Sequence, residues 1–197
     1  MAMQNDARFK EAIEKFDAAN GEDPRTELVD GAASPRELLF SIRVYEWVRK
    51  LVVEPSEELL LSARAHTLRR WMIPRDRYPM TTPGYHQWRD ALAAFHADQA
   101  ASILKQVGYD ELTIARVRAL ITRQDWRTDR EGCALEDADC LVFLETKLAD
   151  YLDEWDEKKT VKILKKTLRK MTPAGLQHVA GLRLNDRCAG LLQQAKS

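Results

Sequence analysis

The sequence of 197 residues contains few of the residues that interrupt helices, with 8 glycines and 7 prolines. Most of them stand between stretches of regularly spaced apolar residues, where they separate helices instead of breaking them. No stretch between turn residues alternates apolar and polar positions, so no β-strand is predicted. This pattern, with 45% hydrophobic and 31% charged residues, is typical of a globular protein built from helices.

Cysteine and long apolar runs are also scarce. The three cysteines, Cys133, Cys140 and Cys188, form no C-x-x-C pair, which predicts reduced thiols and a cytoplasmic protein. No apolar run approaches the roughly 20 residues that span a bilayer, and the polar residues 1–15 do not resemble a secretory leader. We therefore expect neither secretion nor contact with a membrane.

The chain has no net charge, because 31 basic residues balance 31 acidic ones. Any attraction to nucleic acid must therefore come from a local patch of charge. The sequence also lacks the motifs of P-loop nucleotide hydrolases, Rossmann domains, zincin proteases and α/β-hydrolases. These absences disfavour four common classes of enzyme.

The spacing of apolar residues predicts a single all-α domain, residues 1–197, built as a bundle of about eight helices. Turn and capping residues set the predicted boundaries, and the segment 74–84, which holds three prolines, is predicted to be a loop. The first predicted helix ends at Asn20-Gly21, the second begins at Ser34-Pro35 and ends at Pro55, and the third begins at Ser56 and ends before Pro74. The fourth runs from Tyr85 to about Val107, the fifth begins after Asp110, and the sixth runs from Leu135 to about Asp153. The seventh runs from Glu157 to Met171, and the eighth begins at Thr172-Pro173 and is followed by a tail from Leu182 to Leu192 that packs on the body.

Three polar side chains interrupt otherwise apolar helices: His66, His96 and Asp139. If the bundle brings them together, two imidazoles and a carboxylate suit a divalent cation such as Mn, Fe, Ni, Zn or Mg. Glu136 shares a helix face with Asp139 and is expected to act as a catalytic base or to orient a ligand. The alternative is that the histidines only pack and that the acidic residue pairs with an arginine.

Arginine and aromatic residues are interleaved around the proline-rich segment. Guanidinium groups bind phosphate bidentately and stack on aromatic rings, so a phosphorylated small molecule or a nucleotide is the expected ligand. The alternative is that these arginines pack on exposed tryptophans without a ligand. The predicted substrate-binding residues are Arg69, Arg70, Arg75, Tyr78, Trp88 and Arg89.

The last predicted helices form a basic segment, residues 157–197. Seven Lys or Arg residues lie between Lys158 and Lys170, with apolar residues on the opposite face, which favours contact with RNA phosphates. The alternative is a solvated helix face, because charge runs on helices commonly lie at the surface. In that case the face is balanced by the acidic residues Asp150, Asp153, Glu154, Asp156 and Glu157.

The order His66, His96 and Ala138-Asp139-Cys140-Leu141, within about residues 61–152, resembles the HD superfamily of all-helical, metal-dependent phosphohydrolases. The resemblance implies an HD-like core in which His66, His96 and Asp139 bind the metal and a phosphate ester is hydrolysed. The His-Asp doublet of that superfamily is absent, and Trp88-Arg89 stands where it would fall. The alternative is therefore a non-catalytic module that binds a phosphate ligand or RNA and has lost the metal site.

A second resemblance covers almost the whole chain. The runs FKEAIEKFDAANGEDP, RRWMIPRDRYP, FHADQAASILKQVGYDE, LEDADCLVFLE and KKTLRKM are similar to an uncharacterised family, domain of unknown function 4202. Its members are often labelled glutamyl-tRNA synthetase. A class I synthetase needs a Rossmann core and two signature loops, and this chain offers only Lys170-Met171-Thr172 as a fragment of one loop. The resemblance therefore implies no established activity.

Overall fold

The computed structural model describes residues 2–152 and 156–196. The chain is 74% helical, which confirms the all-α prediction. In the described residues the count is ten α-helices and one small hairpin, against about eight helices predicted. The elements are α1 (Ala2–Gly21), β1 (Thr26–Val29), β2 (Ala32–Pro35), α2 (Arg36–Leu51), α3 (Glu57–Ala65), α4 (Thr82–Val107), α5 (Glu111–Ile121), α6 (Arg130–Val142), α7 (Leu148–Leu152), α8 (Glu157–Leu168), α9 (Pro173–His178) and α10 (Asp186–Lys196).

The β-hairpin corrects the prediction that Ser34 caps the second helix. Strands β1 and β2 pair antiparallel, and Ser34 belongs to the second strand. Asp30 and Gly31 connect the strands with φ values of 51° and 83°, the positive values that a tight hairpin turn requires. The second helix then begins directly after Pro35, which supplies no side-chain cap.

Four predicted helix starts are confirmed, because a capping side chain accepts a hydrogen bond from a backbone N–H of the first turn. These caps are Ser56, Asp110, Asp156 and Thr172. Two further caps were not predicted. Thr81 starts α4 before the predicted Tyr85, and Asp129 starts α6 before the predicted Leu135.

The third and sixth predicted helices differ most from the structure. The third ends at Ala65, so His66 lies just after a helix and not within one. Arg69 then takes a left-handed conformation with φ 51°. Two short 3₁₀ turns follow, Arg70–Met72 before the proline-rich segment and Arg75–Arg77 inside it. The sixth is interrupted by a π-helical turn, Phe143–Lys147, between α6 and α7. Its predicted end near Asp153 lies outside the described residues.

Three hydrophobic clusters hold the helices together. The first joins α1, α3, α4 and α5 around Phe16, Leu61 and Leu104. The other two share α6: one packs it against α2 and α3, and the other packs it against α7, α8 and α10 around Leu141 and Leu164. Helix α6 is therefore a central wall of the fold. Across residues 2–152 and 156–196, each helix is too short or too polar to cross a membrane.

Candidate functional site

Asp139, near the C-terminal end of α6, is the centre of the candidate site. One carboxylate oxygen lies 3.2 Å from His66 Nε2, and the other accepts a hydrogen bond from Arg123 at 3.1 Å. Burial alone would raise the pKa of Asp139, but His66, Arg123 and Arg89 together hold it far below its usual range. Asp139 is therefore an ionised carboxylate between cations, as the arginine-pairing alternative requires.

Arg123 bridges the two carboxylates of α6 from a left-handed backbone conformation, φ 59°, just after α5. Its Nε donates to Glu136 at 2.7 Å, and the nearly buried Glu136 also accepts a hydrogen bond from Lys170 at 3.0 Å. Burial would raise the pKa of Glu136, but these two cations lower it. A carboxylate that is ionised and occupied by two cations is a poor proton acceptor, so its predicted role as a base does not fit this arrangement.

His66 connects the end of α3 to α6, and both of its ring nitrogens face oxygen atoms. Nδ1 lies 3.2 Å from the backbone carbonyl of Ala63, and Nε2 faces Asp139. Neither oxygen can donate a hydrogen, so each contact needs a proton on the ring nitrogen that makes it. A metal ion or a substrate proton bound at either nitrogen would therefore displace one of these contacts.

His96, on α4, is 3% exposed and has one ring nitrogen without a partner. Its Nδ1 donates to the backbone carbonyl of Leu68 at 2.6 Å, which leaves a lone pair on Nε2. No group in the described part of the chain makes a hydrogen bond with this Nε2. Burial and then the charge of Arg70 lower the pKa of His96 to about 3, so the ring is neutral at pH 7.

Two arginines lie close to these histidines without a carboxylate of their own. The guanidinium of Arg70 stacks over the ring of Trp88, 4.8 Å from its centroid. Burial and the charge of Arg89 lower the pKa of Arg70, and the charge of Glu37 offsets part of this shift. Across residues 2–152 and 156–196, the side chains of Arg70 and Arg89 make neither an ion pair nor a hydrogen bond. The two guanidinium groups are therefore available to an anion.

The other predicted substrate-binding residues have structural tasks or lie outside this cluster. Arg75 donates to the backbone carbonyls of Tyr78 and Pro79, at 2.9 and 2.8 Å, and so holds the proline-rich loop in shape. Arg69 pairs with Glu22 at the end of α1. Tyr78 is partly buried on the same loop. The structure thus groups Arg70, Trp88 and Arg89 but not the whole predicted set.

The predicted metal ligands are brought together only in part. His66 and Asp139 are in contact, yet no three His, Cys, Asp or Glu side chains of the described residues are arranged to hold a metal ion. The charge of Asp139 is already balanced by its ion pair with Arg123, and Arg70 and Arg89 add positive charge nearby. A divalent cation does not fit this arrangement, because Asp139 would first have to leave both of its partners.

A third carboxylate of α6 holds the C-terminal segment against the site, and sequence reasoning missed it. Asp137 accepts hydrogen bonds from both the backbone N–H and the hydroxyl of Thr172, the first at 2.8 Å. A Cβ on Gly175 would lie 2.4 Å from the Asp137 carboxyl carbon, so only glycine fits there. Neither this contact nor the neighbouring one between Lys170 and Glu136 could be predicted, because residues far apart along the chain follow no spacing rule.

Comparisons with known proteins give a family and no activity. Neither the curated proteins nor the solved structures contain a match to this chain. A family model described as a domain of unknown function, DUF4202, matches residues 10–192, a span that includes every residue of the candidate site. The resemblance stated from the sequence runs is thereby confirmed, and the chain belongs to this uncharacterised family.

Proposed function

We propose that this chain binds a phosphorylated small molecule or a nucleotide between Arg70 and Arg89. The observation that carries the proposal is a pair of neighbouring guanidinium groups that are partly buried and have no carboxylate partner. Holding such charges away from water without compensation costs free energy. A phosphate dianion supplies the missing charge and accepts bidentate hydrogen bonds from arginine.

The surroundings of the two arginines support an anionic ligand. Asp139 and Glu136 form their close ion pairs with Arg123 and Lys170 and not with Arg70 or Arg89. Asp139 and Glu37 act on Arg70 through their charges without forming an ion pair with it. Stacking on Trp88 fixes the plane of the Arg70 guanidinium, which reduces the conformational entropy lost when it binds. The local field is therefore positive although the whole chain has no net charge.

A binder without catalysis fits these contacts better than the HD-like phosphohydrolase. His66, Glu136 and Asp139, the groups that would bind a metal or move a proton, are each engaged by protein partners. An assay for inorganic phosphate released from nucleotides, with Mn, Fe, Ni, Zn or Mg added, tests the hydrolase prediction. Release that requires a metal and is lost in Asp139→Asn would overturn the non-catalytic proposal.

Calorimetric titration with inorganic phosphate and a panel of nucleotides tests the binding proposal. We expect Arg89→Gln to weaken the best ligand by about ten-fold or more, because one charge-assisted hydrogen bond contributes roughly 1.5–3 kcal/mol. Arg70→Lys keeps the charge but loses the bidentate fork and is expected to weaken the same ligand. The control is Arg183→Gln, which removes one exposed charge from the C-terminal segment. If Arg183→Gln weakens ligand binding as much as Arg89→Gln does, or if the wild type binds no ligand, the proposal is refuted.

RNA binding is a second candidate, and a separate observation favours it. The outer face of α8 exposes basic side chains that have no ion pair within residues 2–152 and 156–196. Two of the acidic residues before the helix have other partners, since Asp150 pairs with Arg36 and Asp156 caps α8. Asp153 and Glu154 lie outside the described residues. The exposed basic residues are Lys158, Lys162, Lys165 and Lys166.

Fluorescence anisotropy with labelled single-stranded and duplex RNA, repeated over a range of salt concentrations, tests the second candidate. Contact with two or three phosphates predicts a slope of log K against log salt of about −2 on single strands. The double variant Lys162→Glu, Lys166→Glu should abolish the binding, while Arg89→Gln should leave it unchanged. Binding that ignores salt, or that survives the double variant, would rule α8 out as the RNA-binding surface.

We also place the protein in the cytoplasm, as the cysteine content predicts. Cys133, Cys140 and Cys188 are all free thiols, and the last two are buried. Free thiols are typical of a reducing compartment. Cell fractionation checks this assignment.

A further inference from the structure

We infer that the ligand of Arg70 and Arg89 carries a hydroxyl group close to its phosphate, and that His96 Nε2 accepts the hydrogen bond from that hydroxyl. The inference rests on the proposed function, because the phosphate is bound by Arg70 and Arg89 beside the same histidine. It narrows the ligand class from phosphorylated compounds in general to polyol phosphates, sugar phosphates and the ribose phosphates of nucleotides.

The hydrogen bonds of His96 determine what its free nitrogen can bind. The Leu68 carbonyl can only accept, so the proton of the neutral ring is on Nδ1, and Nε2 is an acceptor. A phosphate oxygen placed at Nε2 would bring two lone pairs together and would be repelled. The group that faces Nε2 must therefore donate an O–H or N–H hydrogen.

The protein does not supply that donor. His96 is 3% exposed, and its Nε2 has no hydrogen-bond partner among residues 2–152 and 156–196. The nearest charged groups are Arg70, His66 and Arg89, which act on the ring through their charges but do not donate to it. A buried acceptor without a donor costs roughly 1–3 kcal/mol, which a ligand hydroxyl can recover on binding.

Two features together define the ligand. The unpaired arginines require an anionic group that accepts several hydrogen bonds, and the nearby imidazole requires a neutral donor. Phosphate esters of polyols and of sugars carry both groups a few bonds apart. Inorganic phosphate and simple alkyl phosphates carry only the first.

Matched ligand pairs that differ by one hydroxyl test the inference by calorimetric titration. The pairs are glycerol 3-phosphate with 3-hydroxypropyl phosphate, ribose 5-phosphate with 2-deoxyribose 5-phosphate, and adenosine monophosphate with its 2′-deoxy and 3′-deoxy forms. We expect the wild type to bind the hydroxylated member of one pair at least about ten-fold more tightly, because a buried acceptor left unpaired rejects the deoxy analogue. The pair that shows the difference identifies polyol, sugar or nucleotide as the source of the hydroxyl.

His96→Asn is the matched variant, because its amide N–H₂ can still donate to the Leu68 carbonyl while the acceptor at the Nε2 position is lost. We expect it to bind both members of the pair equally and to keep the affinity of the wild type for inorganic phosphate. His96→Gln, which reaches the Nε2 position with an amide, should restore part of the preference. Thermal unfolding of each variant confirms that it is folded.

The outcomes separate the inference from the proposed function. If Arg89→Gln weakens phosphate binding but the wild type does not distinguish the paired ligands, the site binds phosphate and an ordered water fills Nε2, so the inference fails. If the wild type distinguishes the pairs and His96→Asn does so equally well, another residue reads the hydroxyl and the inference also fails. If no phosphorylated compound binds, the proposed function and the inference both fail.

Discussion

Arg123 holds Glu136 and Asp139 from a backbone conformation, φ 59°, that glycine adopts more easily than arginine. Replacing Arg123 by glycine would relieve this strain but would also remove both contacts. We expect Arg123→Gly to lose about 2 kcal/mol or more of unfolding free energy, because two largely buried carboxylates lose a shared partner. Urea denaturation measures the change.

Asp125 provides the matched control for Arg123. It has nearly the same backbone conformation, φ 50°, but is exposed and makes no side-chain ion pair with other described residues. Asp125→Gly relieves similar strain without removing a contact and is expected to be neutral or stabilising by up to about 1 kcal/mol. Equal stability of the two glycine variants would show that the bridge by Arg123 contributes nothing.

The pKa of His96 makes stability depend on pH in a direction that can be checked. The folded value of about 3 lies below the ordinary value of 6.5, so the unfolded chain binds the proton first as the pH falls. His96 thus lowers the unfolding free energy by about 2 kcal/mol between pH 7 and pH 5, and further towards pH 3. Compared with wild type, His96→Asn should lose less stability over this interval in urea denaturation. If the unfolding free energies of wild type and His96→Asn change in parallel with pH, His96 is not a buried neutral imidazole.

At the residue scale, the sequence was most informative where a polar group interrupts an apolar helix. Asp139 was singled out for that reason, and the structure places it in contact with His66. Arg123 and Lys170 could not be predicted, because a left-handed turn and a contact across 34 residues bring them to Glu136. Their positions depend on the completed fold and not on any local pattern.

Helices α9 and α6 are in tight contact, because Gly175 lies directly against Asp137. Gly175→Ala should lower the unfolding free energy by roughly 1–3 kcal/mol, since the new methyl group overlaps the carboxylate. Gly190→Ala is the control: it lies in α10 with open space around it and should stabilise by up to about 1 kcal/mol. Thermal unfolding compares them, and a Gly175→Ala protein as stable as Gly190→Ala would contradict the tight contact.

The elements that sequence reasoning missed lack the usual patterns. Strands β1 and β2 have four residues each and are largely exposed, so no alternation of apolar residues marks them, although Asp30-Gly31 is a favoured hairpin turn. Helix α3 ends at Ala65 although apolar spacing continues to Leu68. The cause is distant: the Asn20 side chain accepts a hydrogen bond from the Arg69 backbone at 3.0 Å and fixes the turn.

At the scale of the whole molecule, the C-terminal helices and α6 share one hydrophobic cluster. A chain that ends at residue 156 would expose Leu141 and Leu144 and would leave Glu136 without Lys170. We expect it to bind a hydrophobic dye and to unfold without a cooperative transition, and a separate 157–197 peptide to restore part of the structure. A truncated chain that melts as sharply as the full one would show that residues 157–197 are an independent appendage.

The π-helical turn Phe143–Lys147 gives the chain a tolerance to changes of length that substitutions do not test. Such a turn holds one residue more than the α-helical turn it replaces, so the residues after it keep the orientation they would have in an uninterrupted α-helix. Deleting Thr146 would therefore close the turn into regular α-helix and leave Leu148 and Leu152 facing the core. Among related chains, a one-residue gap at this place marks the loss of the π-helical turn and not a different helix orientation.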